Sequence, residues 1–295
     1  MSGTPKFICV GPGKTGTTWL WHQLRRHESV YLPHSKEINY FNAEATEDPK
    51  VRNPNARRPL EWYLRHFASS NADHVCGEFS PSYFWSHTAA RRIADFDRKM
   101  KIIVMLRDPV ERSHSHHLYR QQVGAGKPMG FGEAIERYPF IIERSLYADN
   151  LKRYLHLFST DLVIVLFFED LKKKPAHLLK QVTRFLGVSE LEPDRADQGI
   201  NKTGRAKYPR LNRILALARV HAKRYAPNVV ADAARSVGLQ QAVHDIRTTA
   251  VPFDAPPEIP REVEIMLRRY FRRDVDALEE LVGRDLSLWK SHTSA

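Results

Sequence analysis

Short apolar runs alternate with segments of helical periodicity between residues 6 and 187. Four of the apolar runs are predicted to form strands: 6–10, 74–77, 101–106 and 161–168. Segments 17–26 and 175–186 have the spacing of helices, a further helix is predicted after Pro109, and the helix over 175–186 ends at Gly187. Strands that alternate with helices form a parallel sheet covered on both faces. We therefore predict an α/β fold with a ligand site at the carboxyl ends of its strands.

The C-terminal part of the chain is helical in its pattern. Apolar residues recur at helical spacing in three segments: 208–224, 228–237 and 260–282. We predict a single domain over residues 1–295, with its core in 5–210 and a helical C-terminal part in 208–295. Polar stretches at 44–58 and 124–132 interrupt the pattern and are predicted to be surface loops.

The chain has a large excess of positive charge. Its 295 residues include 46 lysines and arginines against 34 aspartates and glutamates, a formal net charge of +12. Such an excess favours an anionic partner, which can be nucleic acid, a membrane surface, a phosphorylated cofactor or an acidic glycan. Because the sequence has no helix-turn-helix, zinc-finger or RNA-recognition signature, we expect no nucleic acid partner. A basic surface without a specific partner is the alternative for most of the excess.

Cysteine usage indicates a reducing compartment. Cys9 and Cys76 each lie in a short apolar run and form no disulfide framework. The first predicted strand begins by Lys6, which leaves no room for a signal peptide, and no apolar run approaches the roughly 20 residues of a membrane helix. We expect a cytoplasmic protein without an integral membrane segment. The pattern does not determine the oligomeric state.

The segment from Gly11 to Thr18 connects the first strand to the first helix. Glycines in such a connection let backbone N–H groups surround phosphate oxygens at a helix N-terminus. A Walker A loop has lysine directly after its second glycine, whereas here Thr17 follows Gly16 and Lys14 precedes it by two residues. This register argues against a P-loop kinase or nucleotide phosphotransferase, which is the alternative function, and a plain tight turn is the structural alternative.

A second phosphate-binding segment follows the strand 101–106. Arg107 stands at the end of this strand, and Ser115 lies two turns into the following helix, so both can reach one phosphate if the loop folds back. Asp108 precedes Pro109 and is read as a turn-forming residue, with a magnesium ligand as the alternative. Three nearby histidines lack the spacing of a metal site, and no metal is predicted: His114, His116 and His117.

The two segments together resemble the 5′-phosphosulfate loop and the 3′-phosphate motif of sulfotransferases. Four further segments resemble the heparan-sulfate and bacterial carbohydrate branch of that family: 36–41, 78–84, 144–147 and 169–171. The matches span most of residues 5–210. The resemblance implies a P-loop-like central parallel sheet flanked by helices. It also implies transfer of a sulfuryl group from 3′-phosphoadenosine-5′-phosphosulfate without a metal.

The resemblance also implies roles for individual residues. Lys14 would stabilise the leaving oxygen as it gains charge. The 5′ phosphosulfate would be held by Gly13, Lys14, Thr15, Gly16, Thr17 and Thr18. Arg107 and Ser115 would bind the 3′ phosphate. Lys202, Gly204 and Arg205 resemble the basic loop around the same phosphate, for which a solvated linker is the alternative.

Glu37 matches the general base of the family, which removes the proton of the attacking hydroxyl. It lies in a stretch with Tyr40 and Phe41, and an apolar environment there would raise its pKa. One alternative is an ion pair of Glu37 with Lys36 or Arg107. Another is that His34 is the base.

Some positions depart from the family pattern or leave the acceptor open. Phe79 stands where related glycan enzymes carry lysine, and the C-terminal cysteine pair of the animal enzymes is missing. Four arginines of the last long helix are read as a solvated face, with an acidic acceptor groove as the alternative: Arg268, Arg269, Arg272 and Arg273. The expected acceptor is a hydroxyl on a carbohydrate or another small molecule, and a basic protein suits an anionic glycan.

Overall fold

The computed structural model describes residues 3–44, 53–125, 128–194, 204–212, 214–215, 250–252 and 257–291. The chain divides into two compact units. The first comprises Met1–Arg112, Ile142–Asn201 and Ile265–Ala295, and the second comprises Ser113–Ile141 and Lys202–Glu264. The description of the chain as a single domain stays a prediction.

The first unit is built on a five-stranded parallel sheet. Its strands are β1 Phe7–Gly11, β2 Val30–Tyr31, β3 Val75–Phe79, β4 Lys101–Leu106 and β5 Val163–Phe167, in the spatial order β2-β3-β1-β4-β5. All four pairings are parallel. Every residue of β1 is buried, as expected for a strand covered on both faces. The predicted fold class is confirmed.

Residues 209–212 and 214–215 are helical, and eleven further α-helices lie within the parts of the chain that the structure describes. They are α1 Thr17–Arg25, α2 Leu60–Leu64, α3 Ala89–Phe96, α4 Pro109–Gln122, α5 Phe131–Arg137, α6 Phe140–Glu143, α7 Ala148–Leu157, α8 Phe168–Lys173, α9 Pro175–Leu186, α10 Arg261–Val282 and α11 Ser287–Lys290. Helix α9 has proline at its first position and ends at Gly187, whose φ is 79°, as the sequence predicts. Among these helices, none has the length and apolar composition needed to cross a membrane.

Helices α1 and α9 pack with the sheet in one hydrophobic cluster. Leu20 and Leu24 of α1 and Leu178 and Val182 of α9 are fully buried there, together with Cys9 of β1. Each such aliphatic side chain contributes about 1.5–3 kcal/mol by leaving water. This packing fixes the end of β1 relative to the start of α1, where the predicted phosphate-binding loop lies.

Asp108 caps helix α4 and forms a buried ion pair. Its Oδ1 accepts hydrogen bonds from the backbone N–H groups of Val110 and Glu111, at 2.9 and 3.1 Å. Its Oδ2 accepts from Arg268 Nη1 at 2.5 Å, and the same nitrogen donates to the carbonyl of Trp289. Asp108 is therefore the turn-forming residue that the sequence predicts. Losing one partner of such a buried pair costs about 3–5 kcal/mol.

The burial of Arg268 corrects the prediction that four arginines of α10 form a solvated face. The prediction of a solvated face holds for three of the four arginines, since Arg269, Arg272 and Arg273 are exposed. Arg268 is only 5% exposed, because it lies on the same side of α10 as Leu267 and Phe271 and reaches Asp108.

The second unit contains part of α4, helix α5 and a two-stranded antiparallel hairpin. The hairpin pairs β6 Gly204–Ala206 with β7 Ala250–Pro252, with Arg205 opposite Val251. Within α4 and α5, the rings of His114 and His117 pack against Phe131, at centroid distances of 5.0 and 5.4 Å. The predicted helix at 228–237 and most of the one at 208–224 lie outside the described residues.

Candidate active site

The loop between β1 and α1 depends on two glycines with positive φ. Gly11 has φ 95° and Gly16 has φ 92°. A Cβ atom on Gly11 would lie 2.5 Å from the Pro81 Cα, and one on Gly16 would lie 2.6 Å from the Leu171 Cδ2. Both positions therefore require glycine. The Thr15 hydroxyl donates to the Pro12 carbonyl at 2.7 Å and braces the loop from inside.

The N-terminus of α1 has the features of an anion site. Gly16 is its N-cap residue and provides no side-chain cap, and the first turn contains no acidic residue. The backbone N–H groups of that turn and the helix dipole therefore favour a negative group. Thr17 is buried, whereas Thr18 is half-buried and its Oγ1 accepts a hydrogen bond from Lys36 Nζ at 2.6 Å.

Lys14 lies in the same loop, with a left-handed backbone at φ 74°. The pKa of the Lys14 ammonium is lowered to about 7, mainly by burial and next by the charge of Lys36, while Glu37 opposes the shift. Arg112 and Arg107 add smaller lowering effects. The lowered pKa of Lys14 thus reflects burial first and neighbouring positive charge second, and a bound anion would offset both effects.

Arg107 joins the two predicted phosphate-binding segments. Its Nη1 lies 3.5 Å from the carbonyl oxygen of Lys14, and its guanidinium stacks over the ring of Phe168 at 4.5 Å. Nε and Nη2 donate to Glu111 Oε2 at 3.1 and 2.9 Å. Tyr147 fixes the backbone by donating its hydroxyl to the Arg107 carbonyl. The structure therefore brings Arg107 to the loop that carries Lys14, while its assignment to the 3′ phosphate stays a prediction.

Glu37 is exposed, and its backbone is left-handed with φ 65°. Its N–H donates to the Phe79 carbonyl at 2.8 Å, which ties it to the end of β3. The prediction of an apolar environment around Glu37 is wrong, because the side chains of Tyr40 and Phe41 are buried in the core and Glu37 is not. Tyr40 stacks on Tyr63 at a centroid distance of 4.7 Å. Among the described residues Arg107 pairs with Glu111 and not with Glu37. His34 is also exposed and stays the alternative base.

A buried carboxyl and a tyrosine hold the segment that follows Glu37. The Tyr83 hydroxyl accepts hydrogen bonds from the N–H groups of Tyr40 and Phe41, at 2.7 and 3.2 Å, and also contacts the carboxyl of Glu78. Burial raises the pKa of Glu78 to about 8, although the neighbouring hydroxyls of Tyr83, Tyr63 and Ser80 lower it. Near neutral pH Glu78 is therefore largely protonated and can stay buried without a cation.

Asparagines hold the same segment from its other side. Asn53 is buried, and its amide donates to the carbonyls of Asn39 and Asn42 at 2.5 and 2.8 Å. Asn55 donates to the Ile38 carbonyl at 2.8 Å. Asn39 itself has φ 53°, and its N–H donates to Ser80 Oγ. The left-handed turns at Glu37 and Asn39 are thus fixed by contacts from other parts of the chain.

Sequence reasoning did not assign a role to several residues of this site. Arg112 is 2% exposed, its Nε donates to Ser145 Oγ at 2.5 Å, and burial lowers its pKa to about 10. Lys36, Glu78 and Tyr83 are the others. All four lie inside the segments that carry the family resemblance, so the sequence pointed to these positions. It did not show which residues they contact.

The remaining predicted donor residues belong to the second unit. Ser115 is buried on α4. Gly204 and Arg205 lie in β6, where the sequence predicts a loop, and Lys202 lies outside the described residues. Their assignment to the 3′ phosphate stays a prediction. The described residues contain no group of three or more His, Cys, Asp or Glu side chains placed to hold a metal ion.

A family model described as the sulfotransferase domain matches residues 4–205. The chain belongs to the sulfotransferase family. It is similar to the mouse bifunctional heparan sulfate N-deacetylase/N-sulfotransferase 4, with 32% identity over 205 residues, and to the Xenopus laevis bifunctional heparan sulfate N-deacetylase/N-sulfotransferase 1, with 30% over 203. Each match covers 63% of this sulfotransferase but only 22% of the relative.

A solved structure supports the same assignment over nearly the whole chain. The sulfotransferase from Alicyclobacillus acidocaldarius is 25% identical, with 98% of this chain and 100% of that chain covered and a TM-score of 0.67. The chain is therefore a sulfotransferase by family, and the P-loop kinase alternative is not favoured.

Proposed function

We propose that this sulfotransferase takes its sulfuryl group from 3′-phosphoadenosine-5′-phosphosulfate and transfers it to a hydroxyl of a carbohydrate, with Lys14 and Glu37 as the catalytic pair. The observation that carries the proposal is the left-handed backbone conformation of these two residues. Among the described residues, Lys14, Glu37 and Asn39 are the non-glycine positions with positive φ. Such strain costs about 1–3 kcal/mol at each position and tends to occur at functional sites.

The charges of the site suit a donor with two anionic ends. The N-terminal turn of α1, with Lys14 and Lys36 beside it, would receive the 5′ phosphosulfate. Arg107 at the end of β4 would bind the 3′ phosphate, since its fork of donors matches phosphate oxygens. The cationic side chains here supply the positive charge that a metal supplies in many phosphoryl transfer enzymes.

In the proposed reaction, Glu37 accepts the proton of the acceptor hydroxyl as the oxygen of that group bonds to sulfur. The bond between sulfur and the bridging oxygen breaks, and its electron pair remains on the nucleoside bisphosphate. Lys14 stabilises that oxygen, because a fixed ammonium group in a water-poor site favours the developing negative charge. The exposed carboxylate of Glu37 leaves room for an acceptor to approach.

Titration with 3′,5′-bisphosphoadenosine tests the donor. We expect binding by calorimetry in the presence of a chelator, and tighter binding than of 5′-adenosine monophosphate. Arg107→Ala should remove most of the difference between the two nucleotides, because it removes the proposed 3′-phosphate contact. Arg91→Ala is the matched control, since Arg91 is an exposed arginine paired with Asp95. Binding of ATP that requires magnesium, with no binding of the bisphosphate, would overturn the proposal.

The acceptor is proposed from the charge and from the relatives. A chain with a net charge of +12 attracts an anionic glycan, and the curated relatives are named for heparan sulfate. Those names specify transfer to nitrogen, so an amino group is the rival acceptor. We further propose that the enzyme acts in the cytoplasm, where its two free, buried cysteines stay reduced.

Three polysaccharides separate these acceptors. With labelled donor, we expect label on a polymer of alternating glucuronate and N-acetylglucosamine, which offers hydroxyls and negative charge but no free amine. Neutral dextran should take up much less label, because it lacks the charge. If label appears only after chemical N-deacetylation of the first polymer, the acceptor is an amine and not the proposed hydroxyl. Equal labelling of dextran would remove the argument from charge.

A further inference from the structure

Lys36 reaches the donor loop from the segment that carries Glu37. Its side chain is half-buried, and its Nζ donates to Thr18 Oγ1 at 2.6 Å, within the first turn of α1. The adjacent Glu37 is exposed. The two neighbouring side chains therefore have different surroundings. The Lys36 side chain lies at the predicted 5′-phosphosulfate site.

Lys36 and Lys14 carry two positive charges near the acidic side chain of Glu37. Burial lowers the pKa of Lys36, while Glu37 raises it. Burial also raises the pKa of Cys9 to about 12, so this neighbouring thiol is neutral near pH 7. Lys36 in turn lowers the pKa of Lys14. Two lysines thus lie close enough to repel each other, with Glu37 as the nearby acid, and a partly buried pair of like charges is unfavourable unless an anion joins it.

We propose, resting on the sulfuryl transfer proposed above, that Lys36 is a further catalytic residue, whose ammonium group contacts the oxygens of the sulfuryl group during transfer while Lys14 stabilises the leaving oxygen. The geometry carries this assignment. Lys36 is anchored on Thr18 at the N-terminus of α1, and Lys14 lies in the loop that leads into this turn, where the charge of Lys36 lowers its pKa. Two cations from different segments can therefore contact different oxygens of one anion.

A role limited to supporting Thr18 explains these observations less well. A hydroxyl at a helix N-terminus can be satisfied by water or by a neutral side chain. A lysine in this position instead adds a desolvated charge close enough to Lys14 to lower its pKa. Strongly perturbed groups of this kind are typical of sites that use the charge.

The test replaces Lys36 by methionine, which keeps the length of the side chain and removes its charge. Lys36→Arg keeps a charge, and Lys101→Met is the matched control, because Lys101 is another half-buried lysine, bonded to the carbonyls of Phe185 and Leu186. Two readouts are measured for each. One is the turnover of the donor, with the glucuronate polymer or with water as acceptor. The other is the pH dependence of Lys14 acetylation by acetic anhydride, followed by mass spectrometry without donor.

We expect Lys36→Met to lower turnover by about 10²-fold or more, the effect of removing one electrostatic contact to a transition state. The pH at which Lys14 becomes reactive should rise, because a neighbouring positive charge is gone. Lys36→Arg should restore part of the turnover, and Lys101→Met should change neither readout. Turnover within about threefold of the wild type, or an unchanged Lys14 titration, would overturn the role of Lys36. Absence of 3′,5′-bisphosphoadenosine binding in the wild type would instead contradict the proposed donor.

Discussion

Replacing Lys14 with methionine should lower the rate of sulfuryl transfer by about 10²- to 10³-fold, because one fixed cation at the leaving oxygen is lost. The binding of 3′,5′-bisphosphoadenosine should weaken much less, since the N-terminal turn of α1 and Arg107 remain. Rates under saturating donor and calorimetric binding measure the two effects separately. Methionine is preferred to alanine because it fills the same space in the loop.

The pH dependence gives this prediction a second readout. The pKa of Lys14 is about 7 in the protein without donor, against an ordinary value of 10.5. In the proposed mechanism the protonated form stabilises the leaving oxygen, so kcat/KM should fall as the pH rises through about 7. A bound anion raises this pKa, so the fall in kcat should occur at higher pH. Lys14→Met should lose this fall. A variant that keeps both the rate and the pH profile of the wild type would show that another group serves the leaving oxygen.

The sheet was predictable where strands are buried on both faces. The predicted strands at β1 and β4 agree with the structure to within a residue, because unbroken apolar runs identify such strands. Strand β2 was missed, since two residues are too few for a pattern. Strand β5 is shorter than predicted, because a 3₁₀ turn over Thr160–Leu162 precedes it and helix α8 begins at Phe168.

The meeting of Lys14 and Arg107 follows from the topology. Strands β1 and β4 are neighbours in a parallel sheet, so the residues after their carboxyl ends meet at one edge. This part of the site needed only the strand order and the residues that follow each strand.

The other contacts of the site depend on long-range packing that local pattern does not determine. The helical spacing of α10 puts Arg268 on a face with other arginines, and only the position of Asp108, 160 residues away in sequence, makes it a buried partner. Likewise, Lys36 could be read as a partner of Glu37 until its contact with Thr18 was seen. The left-handed backbone of Glu37 is fixed from the end of β3, which no pattern within residues 36–41 reveals.

Replacing Glu37 with glutamine should lower turnover by about 10²- to 10⁴-fold, the usual contribution of a positioned general base. Glutamine keeps the size of the side chain and the backbone hydrogen bond to Phe79 but cannot accept the proton of the acceptor at neutral pH. Donor binding should stay close to that of the wild type, because Glu37 would face the acceptor. Steady-state rates and calorimetry measure these effects, with Glu61→Gln as the control on the exposed face of α2.

A pH profile separates the loss of a base from general damage to the site. The charge of Glu37 raises the pKa of Lys14, so Glu37→Gln should move the titration of Lys14 to lower pH, opposite to the effect of Lys36→Met. A merely structural disturbance that admits water would move it to higher pH, since burial is the main cause of the lowered pKa. If Glu37→Gln keeps its turnover while His34→Ala loses it, the base is His34. The direction of the Lys14 shift then still tells whether the Glu37 carboxylate faces the transfer site.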